Sequence, residues 1–150
     1  RAGYRTPQRM RDASWQARVD ALGRGHYRRY DERTATQLGE LADRLLATYG
    51  GDLRRLHHHS ADARAVEQAL QRFKGIGPAG AAIFCREVQG IWPDLAPYVD
   101  KLAADGARRL GLPTSADELA RLVSRHDLPR LVAGCVRAAR DETVVDDVRG

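Results

Sequence analysis

Cysteine and lysine are scarce in this chain, and long apolar runs are missing altogether. Only Cys85 and Cys135 are present, each inside an apolar helical pattern. That suits a reduced compartment better than a disulfide framework and predicts two reduced thiols packed in a core. Two cysteines also cannot hold a four-cysteine iron–sulfur cluster. No stretch approaches the roughly 18 apolar residues of a membrane span, and the 1–11 segment is basic and polar, without the apolar centre of a signal peptide. The expected compartment is the cytoplasm, with no membrane partner. There is no initiator Met, and Arg1-Ala2-Gly3-Tyr4 reads like the interior of a protein, so the parent chain is expected to extend upstream. No segment alternates with period two for long enough to argue for a sheet. No internal repeat or low-complexity linker interrupts the 150 residues, which predicts one domain.

What is present is arginine and helical periodicity. Basic residues exceed acidic ones by five, and Lys74 and Lys101 are the only lysines, so the excess is guanidinium. Guanidinium suits planar, bidentate contact with phosphate. Thr6-Pro7 starts a short helix to about Asp12, and Ser14 caps a second that carries Trp15, Val19 and Leu22 and stops at Gly23, ahead of a 23–25 turn. Over 29–49, Leu38, Leu41, Leu45 and Leu46 share one face and Gly50-Gly51 ends the run. Asp52 caps a short turn through Leu56, then a polar connection, His57-His58-His59, leads to a helix opened at 60–62 with Val66, Leu70 and Phe73 inward. Further helices are predicted over 79–88 and 99–110, and from Ser115 and Asp127, the last through Val136. The fold class is all-α, a compact bundle of roughly eight short helices.

Between 73 and 78 the helical pattern breaks into Phe73-Lys74-Gly75-Ile76-Gly77-Pro78. Glycines there allow positive φ and close backbone approach, while Ile76 is free to plug into the core. The helix that starts at Pro78, Ala79 and Gly80 offers unpaired N–H groups to an anion. Taken alone, this is also an ordinary interhelical turn. With its flanks, the 70–83 segment resembles the helix-hairpin-helix of the endonuclease III and AlkA-like superfamily of base-excision DNA glycosylases. The similarity extends upstream to Tyr30-Asp31-Glu32-Arg33-Thr34-Ala35 and Tyr49-Gly50-Gly51-Asp52-Leu53, and downstream to Trp92-Pro93 and Tyr98-Val99-Asp100, spanning roughly 6–112. Beyond that only helical character is shared.

The resemblance implies duplex DNA as partner, gripped through Arg72, Lys74, Gly75, Ile76, Gly77, Pro78, Ala79, Gly80 and Lys101, and a monovalent cation on the hairpin carbonyls. It names no protein partner, and a DNA partner would place the protein on the nucleoid. It also implies hydrolysis of an N-glycosidic bond of a damaged or mismatched base, with Asp100 as the catalytic carboxylate beside the sugar. An aspartate at a helix start is equally a cap. Lys101 has two readings, Schiff-base nucleophile or phosphate contact, of which phosphate contact is preferred. Base-pocket candidates are Tyr27, Tyr30, Trp92 and Tyr98, each with core packing as the plainer role. Three departures matter. Ala79 stands where bifunctional members carry their lysine, which predicts a monofunctional enzyme. No iron–sulfur motif closes the chain, and the early helix that lends residues to the base pocket has no counterpart. The three histidines lack companions at ligand spacing, so no metal is predicted there. The alternatives are a non-catalytic helix-hairpin-helix DNA-binding module and a helical protein-interaction domain.

Overall fold

The structure, a computed structural model, describes residues 3–149; Arg1 and Ala2 of the opening lie outside them. The described chain forms ten α-helices and one 3-10 turn, and no strand. It divides into two compact units, one ending at Gly77 and one beginning at Pro78. No helix among the described residues is long and apolar enough to cross a membrane.

The first unit contains α1 (Pro7–Asp12), α2 (Trp15–Arg24), α3 (Asp31–Tyr49), α4 (Leu53–His58) and α5 (Ala63–Leu70). Side chains cap four of them: Thr6, Ser14, Asp52 and Asp62 accept from backbone N–H groups of the first turn. Helix α3 ends at Gly50 in the left-handed region, φ 62°. Helix α2 runs two residues further than its glycine suggested: Gly23 and Arg24 are helical, and Gly25 is the cap. His57 and His58 likewise belong to α4 instead of a loop, because Asp52 nucleates a full turn and more.

Arg18 ties the first three helices together. Its guanidinium donates to the carbonyls of Met10 (2.9 Å), Ala13 (2.6 Å) and Ala35 (2.9 Å), satisfying acceptors at the end of α1 that would otherwise need water. The apolar side of α5 buries Val66 and Leu70, and Phe73 stacks on Tyr49 with ring centroids 6.2 Å apart.

The second unit contains α6 (Pro78–Val88), the 3-10 turn Pro93–Leu95, α7 (Lys101–Arg109), α8 (Ala116–Ala120), α9 (Leu128–Arg140) and α10 (Glu142–Arg149). Its core joins Ala103 and Ala107 of α7 to Leu128, Val132 and Cys135 of α9, with Leu119 between. Both thiols are buried and in no disulfide, as predicted, and burial pushes that of Cys135 above its ordinary pKa. Helix α9 continues past Val136 to Arg140, and α10 is additional to the helices read from start and stop signals. Val99 lies outside α7, which Asp100 caps.

Charge is divided unevenly. Up to Gly77 there are 15 basic and 9 acidic residues; from Pro78 on there are 10 and 11. The whole positive surplus therefore resides in the first unit, whose outer surface is the more attractive to a polyanion.

One prediction arises from the cap of α4. Asp52 is bonded to the Arg54 side chain and backbone N–H, which lowers its pKa from 3.8 to about 2. A depressed carboxyl stabilises the fold above its unfolded pKa and loses that contribution as pH falls through the folded value. The Asp52 carboxyl, followed by carbon NMR, is expected to titrate near 2 and to move back towards 3.8 in Arg54→Ala.

Candidate functional site

The glycine turn closes the first unit, and α3 is its support. Gly75 has φ 92°, a conformation that glycine adopts without cost, and a Cβ there would meet the Gln37 side chain at 2.9 Å. Gly77 is different: its φ is not in the left-handed region, and a Cβ would meet nothing. Only one of the two glycines is thus required by backbone geometry. Gly75→Ala is expected to destabilise the first unit by roughly 1 kcal/mol or more, and Gly77→Ala to leave it nearly unchanged, as urea unfolding would measure.

Around the turn, Ile76 is only half-buried, whereas a core position had been expected; the Ile76 N–H closes a tight turn onto the Phe73 carbonyl at 3.0 Å, and Phe73 takes the buried place. Lys74 is ion-paired with Glu40 of α3 at 2.8 Å with both side chains largely in water. Arg72 is exposed, as are Pro78, Ala79 and Gly80 at the start of α6.

Asp100 occupies the N-cap of α7, and both of its oxygens are engaged. Oδ1 accepts from the Ala103 N–H at 2.8 Å, and Oδ2 is 2.7 Å from a guanidinium nitrogen of Arg86. The side chains of the pair are 11% and 8% exposed. Desolvated to this degree, the two charges depend on each other. A second buried polar residue, Gln89, holds the approach to Asp100: its amide donates to the carbonyls of Arg86 and Tyr98 and accepts from the Tyr98 N–H, each at 3.0 Å. Two of these bonds fasten Tyr98 to the residue that follows α6, and the Arg86–Asp100 contact is a third tie between the two segments.

The Asp100–Arg86 pair opens onto a cavity of about 410 Å³ in the second unit. Its other walls are Pro78, Ala79, Ala82 and Ile83 from the first two turns of α6, Lys101, Leu102 and Asp105 from α7, and Arg140 from the end of α9. That volume lies within the range of small-molecule sites, and the walls combine apolar surface with a few polar groups. Lys101 is 91% exposed and bonded to Asp105 at 2.8 Å. An ammonium so hydrated has none of the desolvation that activates a lysine for Schiff-base attack.

The four aromatic candidates fall in three settings. Tyr27 and Tyr30 are 46% and 51% exposed, on the 25–30 loop of the first unit. Trp92 is half-buried against Phe84, centroids 5.6 Å apart. Tyr98 is half-buried and held by Gln89; neither Trp92 nor Tyr98 is among the walls of the cavity beside Asp100. No group of His, Cys, Asp and Glu among the described residues has the arrangement of a metal site.

Sequence reasoning missed Arg86 and Gln89. An arginine inside an apolar, alanine-rich helix was the available signal, since arginine is almost never buried without a partner. The partner, 14 residues away, obeys no helical spacing. Comparison with protein families, with curated proteins and with solved structures returned no match to this chain.

Proposed function

We propose that the protein is a monofunctional DNA N-glycosylase of the helix-hairpin-helix type, binding duplex DNA and hydrolysing the bond between a damaged or mismatched base and its deoxyribose. The observation that carries this reading is the placement of the Asp100 carboxylate on a cavity whose walls include the first residues of α6, the helix that immediately follows the glycine turn. In this reading the contiguous 74–80 segment contacts the DNA backbone, with a monovalent cation on the turn carbonyls, and Arg72 and Lys101 add charge. The sugar of the extruded nucleotide lies against Asp100.

In the reaction the C1′–N bond breaks, the departing base keeps the electron pair and takes up a proton, and water supplies the oxygen that bonds to C1′. Positive charge grows on the sugar ring as the base leaves. A fixed carboxylate stabilises that charge more in the transition state than in the ground state. Asp100 is fixed by its cap bond and by Arg86, and its remaining lone pairs are available to orient the water.

The same ion pair favours a second reading. A guanidinium 2.7 Å from the carboxylate offsets much of its field, which suits a DNA-binding module in which Asp100 is purely structural. The discriminating experiment incubates the protein with duplexes carrying a panel of damaged bases, followed by alkali cleavage at abasic sites. Release by the wild type, and loss of release with DNA binding retained in Asp100→Asn, is the result expected. No release from any duplex by the wild type leaves the binding module.

A further inference from the structure

The first unit carries an exposed surface that this reading does not use. Residues 24–30 are all exposed and hold Arg24, Tyr27, Arg28, Arg29 and Tyr30; Arg33 follows on the first turn of α3. Over 24–33 there are four arginines against two acids, Asp31 and Glu32. Arg24, Arg28 and Arg33 form no ion pair among the described residues, and Arg29 lies only over the ring of Tyr30, 5.2 Å from its centroid. The Tyr27 hydroxyl accepts from Thr34 Oγ1 at 3.3 Å, which holds that ring to α3 while leaving it 46% exposed.

This loop adjoins the glycine turn along one stripe of α3. Arg33, Gln37, Glu40 and Arg44 recur at helical spacing on one face. Gln37 lies under Gly75, Glu40 pairs with Lys74, and Arg44 lies over the Phe73 ring. Arg33 is therefore one helical turn from the residue that supports the glycine turn, so the 24–30 loop and that turn lie along the same face of α3.

We infer that this face is a binding platform for unpaired nucleotides, on which the rings of Tyr27 and Tyr30 stack against bases and Arg24, Arg28, Arg29 and Arg33 contact phosphates. Exposed aromatic rings interleaved with unpaired arginines are what single-stranded nucleic acid requires: a π face for each base and a cation for the backbone. The partner's charge matches as well, since the entire positive surplus of the chain lies in this unit. The inference does not depend on Asp100 chemistry, which belongs to the other unit.

The test uses fluorescence anisotropy of the full chain with a labelled oligothymidylate of about 15 nucleotides and a duplex of the same length. Tyr27→Ala/Tyr30→Ala is expected to bind the single strand at least roughly tenfold more weakly. Tyr27→Phe/Tyr30→Phe, which keeps both rings, is expected to bind as the wild type does. Arg28→Gln/Arg29→Gln is expected to reduce the slope of log affinity against log salt by about 1.4. Unchanged circular dichroism separates these effects from unfolding, and if the Ala pair fails to fold the salt slope of Arg28→Gln/Arg29→Gln decides, an unchanged slope overturning the inference. An Ala pair that is folded and binds the strand as the wild type does, or a wild type that does not bind it at low salt, overturns the inference. Strand binding without base release from any duplex sustains the platform and removes the glycosylase; base release with an unaffected Ala pair does the reverse.

Discussion

Gly106→Ala is expected to lower the stability of the second unit by about 3 kcal/mol or more, beyond the usual overpacking range, and the midpoint of thermal unfolding by on the order of 10 °C. In a helix interior this substitution normally gains up to about 1 kcal/mol from propensity. Here a Cβ would sit 1.7 Å from the Cys135 carbonyl oxygen, 2.6 Å from its carbon and 3.0 Å from the Ala139 nitrogen. All three atoms are backbone, so no rotamer change relieves the overlap. The helices α7 and α9 must part by more than an ångström, opening contacts at Ala103, Ala107 and Val132 that are wholly buried. Denaturant unfolding of the variant beside the wild type measures the cost. A variant as stable as the wild type would mean that the two helices do not approach as described. Gly134→Ala, where a Cβ meets nothing, is the matched control in α9.

Arg86→Gln is the second substitution with a large expected effect, a loss of roughly 3–5 kcal/mol. Removing the guanidinium leaves the Asp100 carboxylate desolvated, 11% exposed, with only the Ala103 N–H as partner. The penalty comes mostly from the orphaned charge rather than from the pair's net worth, and that makes a sharper test available. Replacing both residues, as Arg86→Met with Asp100→Ser, removes both charges while serine keeps the cap of α7. The double variant is expected to recover most of the stability lost by Arg86→Gln. If the single variant is nearly neutral, the pair is hydrated in solution and the cavity is wetter than its walls suggest.

Much of the fold was legible because it rests on local rules. Thr6-Pro7, Ser14, Asp52, Asp62 and Ser115 cap where such residues cap, since the amides they satisfy lie within three residues. The burial of Cys85, Cys135, Val66, Leu70 and Phe73 follows from helical spacing of apolar residues. Local rules also explain the misreadings. Gly23 looked like a stop, but glycine inside a helix costs only about 1 kcal/mol and the run of contacts with α3 outweighs it. The 142–149 helix is short and rich in valine and aspartate, and Val145, the one buried among its described side chains, gives no apolar stripe to read.

The candidate site was legible only in part. Asp100 and the 73–78 turn stood out because glycine, proline and a capping acid are local signals. Arg86 and Gln89 were not singled out, because their partners at Asp100 and Tyr98 become neighbours only when the chain returns past the 3-10 turn.

By itself the sequence determined the all-helical class, the places where most of the helices begin and the excess of guanidinium, because propensity, capping and composition act within a few residues of themselves. Tertiary structure alone decided that Asp100 is a paired, nearly buried charge, that a Cβ at Gly106 would overlap backbone where one at Gly134 meets nothing, and that Tyr27 and Tyr30 face water. Those outcomes depend on desolvation and close approach between segments far apart in the chain, and neither quantity exists until the helices pack.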